Sequence, residues 1–378
     1  MSEACVADFR ATARRRLPRV LFDYIDGGSY AETTLAANVA DLQAVTLRQR
    51  VLKDVSKLSL RTELFSQQLA MPVVLAPVGL AGMYARRGET QAARAAKGAG
   101  VPFCLSTMGV CDVAEVASAA VAPWFQLYMV RDRGFMAEVL ARAREAGSPV
   151  LVFTVDLPVP GARYRDARNG MIASTGGERV RQALDGLAHP SWLLDVWLRG
   201  RPHTLGSVAS GATDLRRLAQ FWIWIGRNFD PSITWKDLDW IRQQWPGPIV
   251  IKGVLDVEDA REAARCGADG IVVSNHGGRQ LDGASSAIAA LPAVADAVGR
   301  DLAVLMDGGV RSGLDVLKAL SLGARACLIG RPWAWALGAR GEAGVARMLA
   351  ILRQELSVAM SLTGCVDVKQ AGRDLLAR

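Results

Sequence analysis

The sequence predicts an α/β protein built as a (β/α)8 barrel, with an N-terminal helical segment and a long insertion between its fourth and fifth strands. Three observations predict it. Eight short, continuous apolar runs alternate with amphipathic segments rich in Ala, Arg and Glu, the pattern of buried parallel strands separated by helices. Polar residues and glycines gather where each run ends, as they do at the carboxyl ends of barrel strands. The first βα turn also lacks the G-x-G-x-x-G of an open dinucleotide-binding sheet, because Gly79 and Gly82 do not make that spacing.

The runs are 72–77 (PVVLAP), 102–106 (PFCLS), 124–128 (WFQLY), 150–156 (VLVFTVD), 248–253 (PIVIKG), 270–275 (GIVVSN), 302–307 (LAVLMD) and 326–330 (ACLIG). Between them, 88–99, 133–146, 256–266 and 313–322 carry Ala, Leu, Glu and Arg at helical spacing and often finish near a glycine. The 378 residues, 51% hydrophobic and 22% charged, suit a folded globular protein with a sizeable core. A single domain over 1–378 is expected, with the barrel at about 72–340 and the insertion at about 165–235.

No apolar run approaches the ~18 to 20 residues of a spanning helix. Arg14, Arg15 and Arg16 precede Asp23 and Asp26 with no small-residue cleavage site, so they are read as a helix face and not as a signal peptide. The six cysteines, Cys5, Cys104, Cys111, Cys266, Cys327 and Cys365, form no C-x-x-C pair or metal-like cluster and are read as buried thiols of a reducing compartment. The net charge of +8 comes from dispersed arginines. That argues against nucleic acid and fits anionic substrates, a cofactor phosphate or an anionic membrane surface.

The strand ends carry the candidates: Pro77, Ser106, Gln126 with Tyr128, Thr154 with Asp156, Lys252, Asn275 with His276, Asp307, and Gly330 with Arg331. After strands seven and eight, Asp307-Gly308-Gly309-Val310-Arg311-Ser312-Gly313 and Ile329-Gly330-Arg331-Pro332 place glycine backbones and two arginines where such barrels hold phosphate. His276 is one of three histidines and lies in S-N-H-G-G-R-Q-L-D, three residues before Arg279. A base beside a cation suits an anionic substrate that must lose a proton. Asp156 is placed to orient that histidine and to stabilise its imidazolium. Lys252 would be a costly buried cation without an anionic partner, and a reduced flavin would be one.

These residues resemble the FMN-dependent L-2-hydroxy-acid oxidases and dehydrogenases over nearly the whole chain, S-N-H-G-G-R-Q-L-D being the most specific motif. A-P-V-G-L-A-G-M-Y-A-R-R-G-E, P-G-A-R-Y-R-D-A and D-P-S-I-T-W-K-D-L are similar to the membrane-associated bacterial L-lactate dehydrogenases. The resemblance implies FMN as cofactor, a small 2-hydroxy acid as substrate, with lactate first, and His276 as base. It implies that Tyr24, Arg163 and Arg279 hold the substrate carboxylate and that Tyr128 contacts the hydroxyl. To the cofactor it assigns Ala76, Pro77, Ser106, Gln126, Thr154, Lys252 and Ser274, and towards the phosphate Asp307, Gly309, Arg311, Gly330 and Arg331. It further implies a quinone or cytochrome acceptor, a homo-oligomer (a tetramer), and peripheral attachment at the cytoplasmic face of the inner membrane. Two positions depart from the glycolate-type oxidases: Met108 replaces a tryptophan, and Gly79 replaces an alanine beside the flavin, the latter leaning towards a dehydrogenase.

The distance from Asp156 to Pro248 far exceeds an ordinary β–α–β crossover. Within it Trp192, Leu193, Leu194, Val196, Trp197 and Leu198 sit between Arg181, Arg199 and Arg201, a composition that fits an interfacial membrane segment. A mandelate dehydrogenase shares the base, the arginines and an H-P-x-W segment and is the alternative within the class. A barrel that binds a phosphorylated ligand without redox chemistry is the alternative outside it.

Overall fold

The computed structural model describes residues 3–172, 175–206 and 225–377. Eight parallel strands form the barrel: β3 (Val73–Leu75), β4 (Cys104–Ser106), β5 (Trp124–Tyr128), β6 (Leu151–Thr154), β7 (Ile249–Val254), β8 (Gly270–Val273), β9 (Ala303–Met306) and β10 (Ala326–Ile329). Their spatial order is β3-β10-β9-β8-β7-β6-β5-β4, and a parallel bridge between Leu75 and Phe103 closes the ring. Each strand falls within its expected apolar run except β7, which extends one residue past it to Val254, and helices Gly88–Ala99, Arg133–Glu145, Val257–Arg265 and Gly313–Ser321 occupy the expected intervals.

Period-two alternation explains both core and mouth. Val74, Cys104, Trp124, Val152, Val250, Val272, Leu305 and Leu328 form one buried cluster, the barrel interior. Their neighbours Val73, Leu105, Phe125, Phe153, Ile251, Val273, Val304 and Ile329 pack with the helices outside. Two residues beyond the interior set, on the same face of each strand, stand Ala76, Ser106, Gln126, Thr154, Lys252, Ser274, Asp307 and Gly330. The interior register therefore aims these side chains up into the barrel mouth. Tyr128, Asp156 and His276 continue the same parity by a further step.

The N-terminal segment contains the expected helices, α1 (Val6–Arg16), α2 (Arg19–Asp26) and α3 (Thr33–Ala44). It also contains an antiparallel hairpin, β1 (Thr62–Leu64) and β2 (Gln67–Leu69), which the sequence pattern does not reveal because each strand has only three residues. Leu64, Leu69 and Phe65 pack against the interior cluster, and Gln67 Oε1 accepts a hydrogen bond from Trp124 Nε1 (3.1 Å), so the hairpin plugs the end opposite the mouth.

Two expectations need correction. Cys5 and Cys266 are only half-buried, while the other four cysteines are buried; all six are free. Of the tryptophans singled out in the insertion, Trp192 is buried and Trp197 half-buried, so neither is fully presented to solvent. After a helix at Gly176–Leu187, a turn and a π-helix (Leu193–Leu198) bury Trp192, whose Nε1 donates to Met83 O (2.8 Å), and stack Trp197 on His203. An indole N–H wants a partner, and the protein supplies one inward. Of the residues singled out, Leu194 and Leu198 are exposed, and they are joined by Val180, Leu184 and Leu187 on the preceding helix, which composition alone did not single out. Parts of the expected insertion, 173–174 and 207–224, lie outside the described residues. Among the described residues no helix is long and apolar enough to cross a membrane.

Candidate active site

A single cavity at the mouth is lined by Tyr24, Ala76, Pro77, Ser106, Tyr128, Arg163, Lys252, His276, Arg279, Asp307, Gly309, Arg311, Gly330 and Arg331. Of the expected residues, Gln126, Thr154, Asp156 and Ser274 stand one layer behind it. Gln126 Oε1 accepts from Ser106 Oγ (3.1 Å), Asp156 Oδ1 lies 2.8 Å from His276 Nδ1, and Ser274 Oγ accepts from both Lys252 Nζ (3.0 Å) and the His276 backbone N–H (3.0 Å).

The His276 ring is held by its backbone. His276, Gly277 and Gly278 all have positive φ (56°, 64° and 72°), a conformation that disfavours a side chain with a Cβ and is retained here by surrounding bonds. Gly278 N–H donates to Asn275 Oδ1 (3.0 Å), and Asn275 exchanges hydrogen bonds with Asn38 of α3 (2.8 and 2.9 Å). Asn275 thus faces away from the mouth and acts as the anchor of the turn. Asp156 in turn needs Gly253: a Cβ there, at φ 113°, would come within 2.5 Å of the Asp156 Cβ.

Burial pushes the His276 imidazole below the usual 6.5; Asp156 pulls it up, and Lys252 opposes protonation. The balance leaves a neutral ring at neutral pH. Burial pushes Asp156 up, but His276 and Lys252 more than reverse this, and it stays a carboxylate. With Nδ1–H donating to that carboxylate, the remaining nitrogen is free to accept a proton.

Two arginines converge on Tyr24. Arg163 and Arg279 lie 5.8 and 4.8 Å from the centre of its ring, within cation–π range. Burial, and then the charge of Arg279, push Arg163 down to about 10. Its nearest carboxylate, Asp166, is buried and 4.0 Å away. Such a pair of cations, one buried and one half-buried, is prepared for an incoming anion. The Tyr128 hydroxyl is raised by burial and then by Asp156, so it remains a proton donor.

Lys252 is not the partnerless cation expected from the sequence. Asp307 Oδ2 lies 2.9 Å from its Nζ. Gly308 and Gly309 also serve the packing of the N-terminal segment. Both have positive φ, and a Cβ on Gly309 would sit 2.0 Å from Asn38 O, so these glycines let α3 close against the strand end. Gly330 is the position that keeps space open, since an added Cβ would meet nothing nearer than Ala76 Cβ at 3.8 Å.

The lining fits a flavin mononucleotide. Gln126 Nε2, Thr154 Oγ1 and Asp307 Oδ1 are buried without a hydrogen-bond partner beside the mouth, which is costly unless a polar ring edge satisfies them. At the other end Arg311 stacks 4.9 Å above Trp335, and no carboxylate among the described residues pairs with it. A phosphate dianion is the complement of that end. Besides Asn38, two supporting residues escaped the sequence pattern. Gln280 Nε2 donates to Asp156 O (2.8 Å) and Val159 O (3.1 Å), and Asp26 pairs with Arg10 and Arg165. Only Gln280 lies within a recognisable motif, S-N-H-G-G-R-Q-L-D.

Residues 13–378 match the FMN-dependent dehydrogenase family, and the chain belongs to that family; FMN is its cofactor. Among its relatives are an L-lactate dehydrogenase of Caulobacter sp. strain K31, 61% identical over 372 residues (98% of this chain, 97% of the relative), and one of Chromohalobacter salexigens, 60% identical over 370 residues (98% and 94%). Among solved structures, the monotopic membrane protein (S)-mandelate dehydrogenase superposes with a TM-score of 0.92 at 36% identity, all of each chain being covered. A mandelate oxidase gives 0.84 at 38%, covering 100% of this chain and 98% of that one.

Proposed function

We propose that this enzyme oxidises L-lactate to pyruvate and passes the electrons to a quinone or cytochrome acceptor. The observation that carries the substrate assignment is the 57–61% identity, over nearly the whole chain, to relatives named L-lactate dehydrogenase. Mandelate is the competing substrate, favoured by the structural neighbours at 36–38% identity.

In this reading Arg163 and Arg279 bind the substrate carboxylate and fix the orientation of its Cα. Tyr24 supplies the aromatic face between them, and Tyr128 donates a hydrogen bond to the hydroxyl oxygen. His276 takes the substrate proton on the nitrogen facing the cavity, and Asp156, 2.8 Å behind, stabilises the imidazolium that forms. The flavin supplies the two-electron sink. Ser106, Gln126, Thr154, Lys252 and Ser274 would hold or back its ring system together with Ala76 and Pro77, and Gly309, Arg311, Gly330 and the backbone of Arg331 would hold its phosphate. Abstraction of the hydroxyl proton and of the Cα proton both leave His276 as the base.

Anaerobic reduction of the bound flavin by L-lactate and by (S)-mandelate tests the substrate. A larger kcat/KM for lactate is expected, and the reverse order assigns the enzyme to mandelate. His276→Ala should keep FMN bound and slow flavin reduction by about 10²- to 10⁴-fold, the usual contribution of a general base. A near-wild-type rate at saturating lactate removes His276 from the mechanism.

Peripheral membrane attachment at the cytoplasmic face is part of the proposal. It is supported by the monotopic neighbour and by the exposed apolar residues Val180, Leu184, Leu187, Leu194 and Leu198 beside the exposed Arg181, Arg199 and Arg201.

A further inference from the structure

Helix α2 ends at the rim of the active site, and its last carbonyls have no partner within the helix. Two arginines from the barrel mouth cover them. Arg279 Nη1 donates to Tyr24 O (2.5 Å) and Gly27 O (2.9 Å). Arg331 donates from Nε to Ile25 O (3.1 Å) and from Nη2 to Gly27 O (2.8 Å), while its Nη1 donates to Gly277 O (2.8 Å), the residue after His276. All three nitrogens of the Arg331 guanidinium are thus committed to backbone carbonyls.

We infer that the Arg331 side chain is a positioning residue: it ties α2, and with it Tyr24, to the His276–Gly277 turn, and it is not a ligand of the flavin phosphate. The inference rests on the proposed roles of His276 and Tyr24, and it departs from the expectation that the whole residue binds cofactor.

The neighbourhood is shaped for this contact. A Cβ on Gly277 would lie 2.7 Å from Arg331 Nη1, so the turn needs glycine to admit the guanidinium. Ser29 N–H donates to Gly278 O (2.9 Å), a second tie between the same two segments, and a Cβ on Gly28 would lie 2.7 Å from that oxygen. A cation at a helix C-terminus also meets the negative end of the helix dipole. Arg311 offers the contrast. Among the described residues its side chain makes one hydrogen bond, to Val310 O (2.8 Å), and stacks on Trp335, so the remaining guanidinium donors are available at the phosphate end.

Lysine separates the two roles. As a point charge it can still meet a phosphate, but one nitrogen cannot reach three carbonyls in diverging directions. The test compares wild type with Arg331→Lys, Arg331→Met and Arg311→Met. FMN affinity is measured by quenching of flavin fluorescence on the apoprotein, backbone amide exchange of residues 19–29 on the same apoprotein, and anaerobic flavin reduction by L-lactate on the holoenzyme. Both Arg331 variants should keep FMN affinity within about threefold and lose about tenfold or more in kcat/KM, a loss that excess FMN does not restore, whereas Arg311→Met weakens FMN about tenfold or more. Amide exchange of 19–29 should accelerate in both Arg331 variants without any FMN present. The inference is overturned if Arg331→Met weakens FMN about tenfold and Arg331→Lys restores it, or if exchange of 19–29 is unchanged. The affinity and exchange results stand whichever hydroxy acid is the substrate, so failure of the lactate assignment is read separately.

Discussion

Asp307 Oδ2 lies 2.9 Å from Lys252 Nζ at the floor of the barrel mouth, so the protein itself supplies a counter-charge to this buried cation. Burial alone would push the Lys252 amine down; Asp307 and Asp156 hold it above the usual lysine value. The charge is therefore permanent across the physiological range, and its effect on a bound ring is the resultant of lysine and aspartate.

Opposite shifts in reduction potential follow. Lys252→Met should make the bound flavin harder to reduce, and Asp307→Asn easier, because the second substitution unmasks the lysine. Shifts of ~30 mV or more are expected for a change of about 1.4 kcal/mol in a two-electron couple. Potentiometric titration of both variants checks this, and shifts of the same sign would remove the electrostatic account.

The correction at Lys252 shows what the sequence makes legible. Ser106, Gln126, Thr154, Lys252 and Asp307 could be picked out because position in a strand is a local property, and their parity with the buried interior then fixes where they point, whereas at β8 the strand end suggested Asn275 and only the family resemblance supplied Ser274. What each of them touches was not legible. Asp307 reaches Lys252 from a different strand, Asn38 grips Asn275 across 237 residues of chain, and Arg331 reaches Gly27 across 304. Nothing local distinguishes Asn38 from any other polar helical residue. The tryptophans of the insertion failed for a related reason: composition says that Trp192 and Trp197 want an apolar surface, and only tertiary structure decides that Trp192 finds it on Met83 and the barrel.

The Asp156–His276 pair sets a pH dependence. Since burial depresses the imidazole below 6.5, the base is available at lower pH than an ordinary histidine, and the acid limb of kcat/KM should lie below 6.5. Asp156→Asn removes the charge that raises the imidazole, so the limb should move to still lower pH while kcat falls by about 10²- to 10⁴-fold through loss of imidazolium stabilisation. The linkage to stability has the same origin: below 6.5 the unfolded chain protonates first, so this histidine lowers stability as pH falls. A pH–rate profile of flavin reduction for both proteins tests the pair; an upward shift in the variant contradicts it.

The proposed membrane face is defined by side chains that the fold leaves outside. Val180, Leu184 and Leu187 recur at i, i+4 and i+7 along one side of helix Gly176–Leu187, and they are 61%, 62% and 63% exposed. Leu194 and Leu198, at 47% and 53%, add two more from the π-helix that follows. Aliphatic side chains contribute ~1.5 to 3 kcal/mol each when fully buried, so five partly exposed ones, helped by exposed arginines near anionic headgroups, are enough for peripheral binding. Replacing all five with serine should release the enzyme from anionic vesicles while leaving lactate oxidation with a soluble dye acceptor within about twofold, because none of the five lines the active-site cavity. Trp192→Ser should do the reverse: its ring is buried and its Nε1 bonded to Met83 O, so the expected result is a lower melting temperature with vesicle binding retained by the folded fraction. Co-sedimentation and thermal melting of the two variants distinguish the faces. If the five-serine variant still sediments with vesicles, the outward leucines are not the attachment surface; if it loses dye-linked activity, this helix supports the catalytic site from behind.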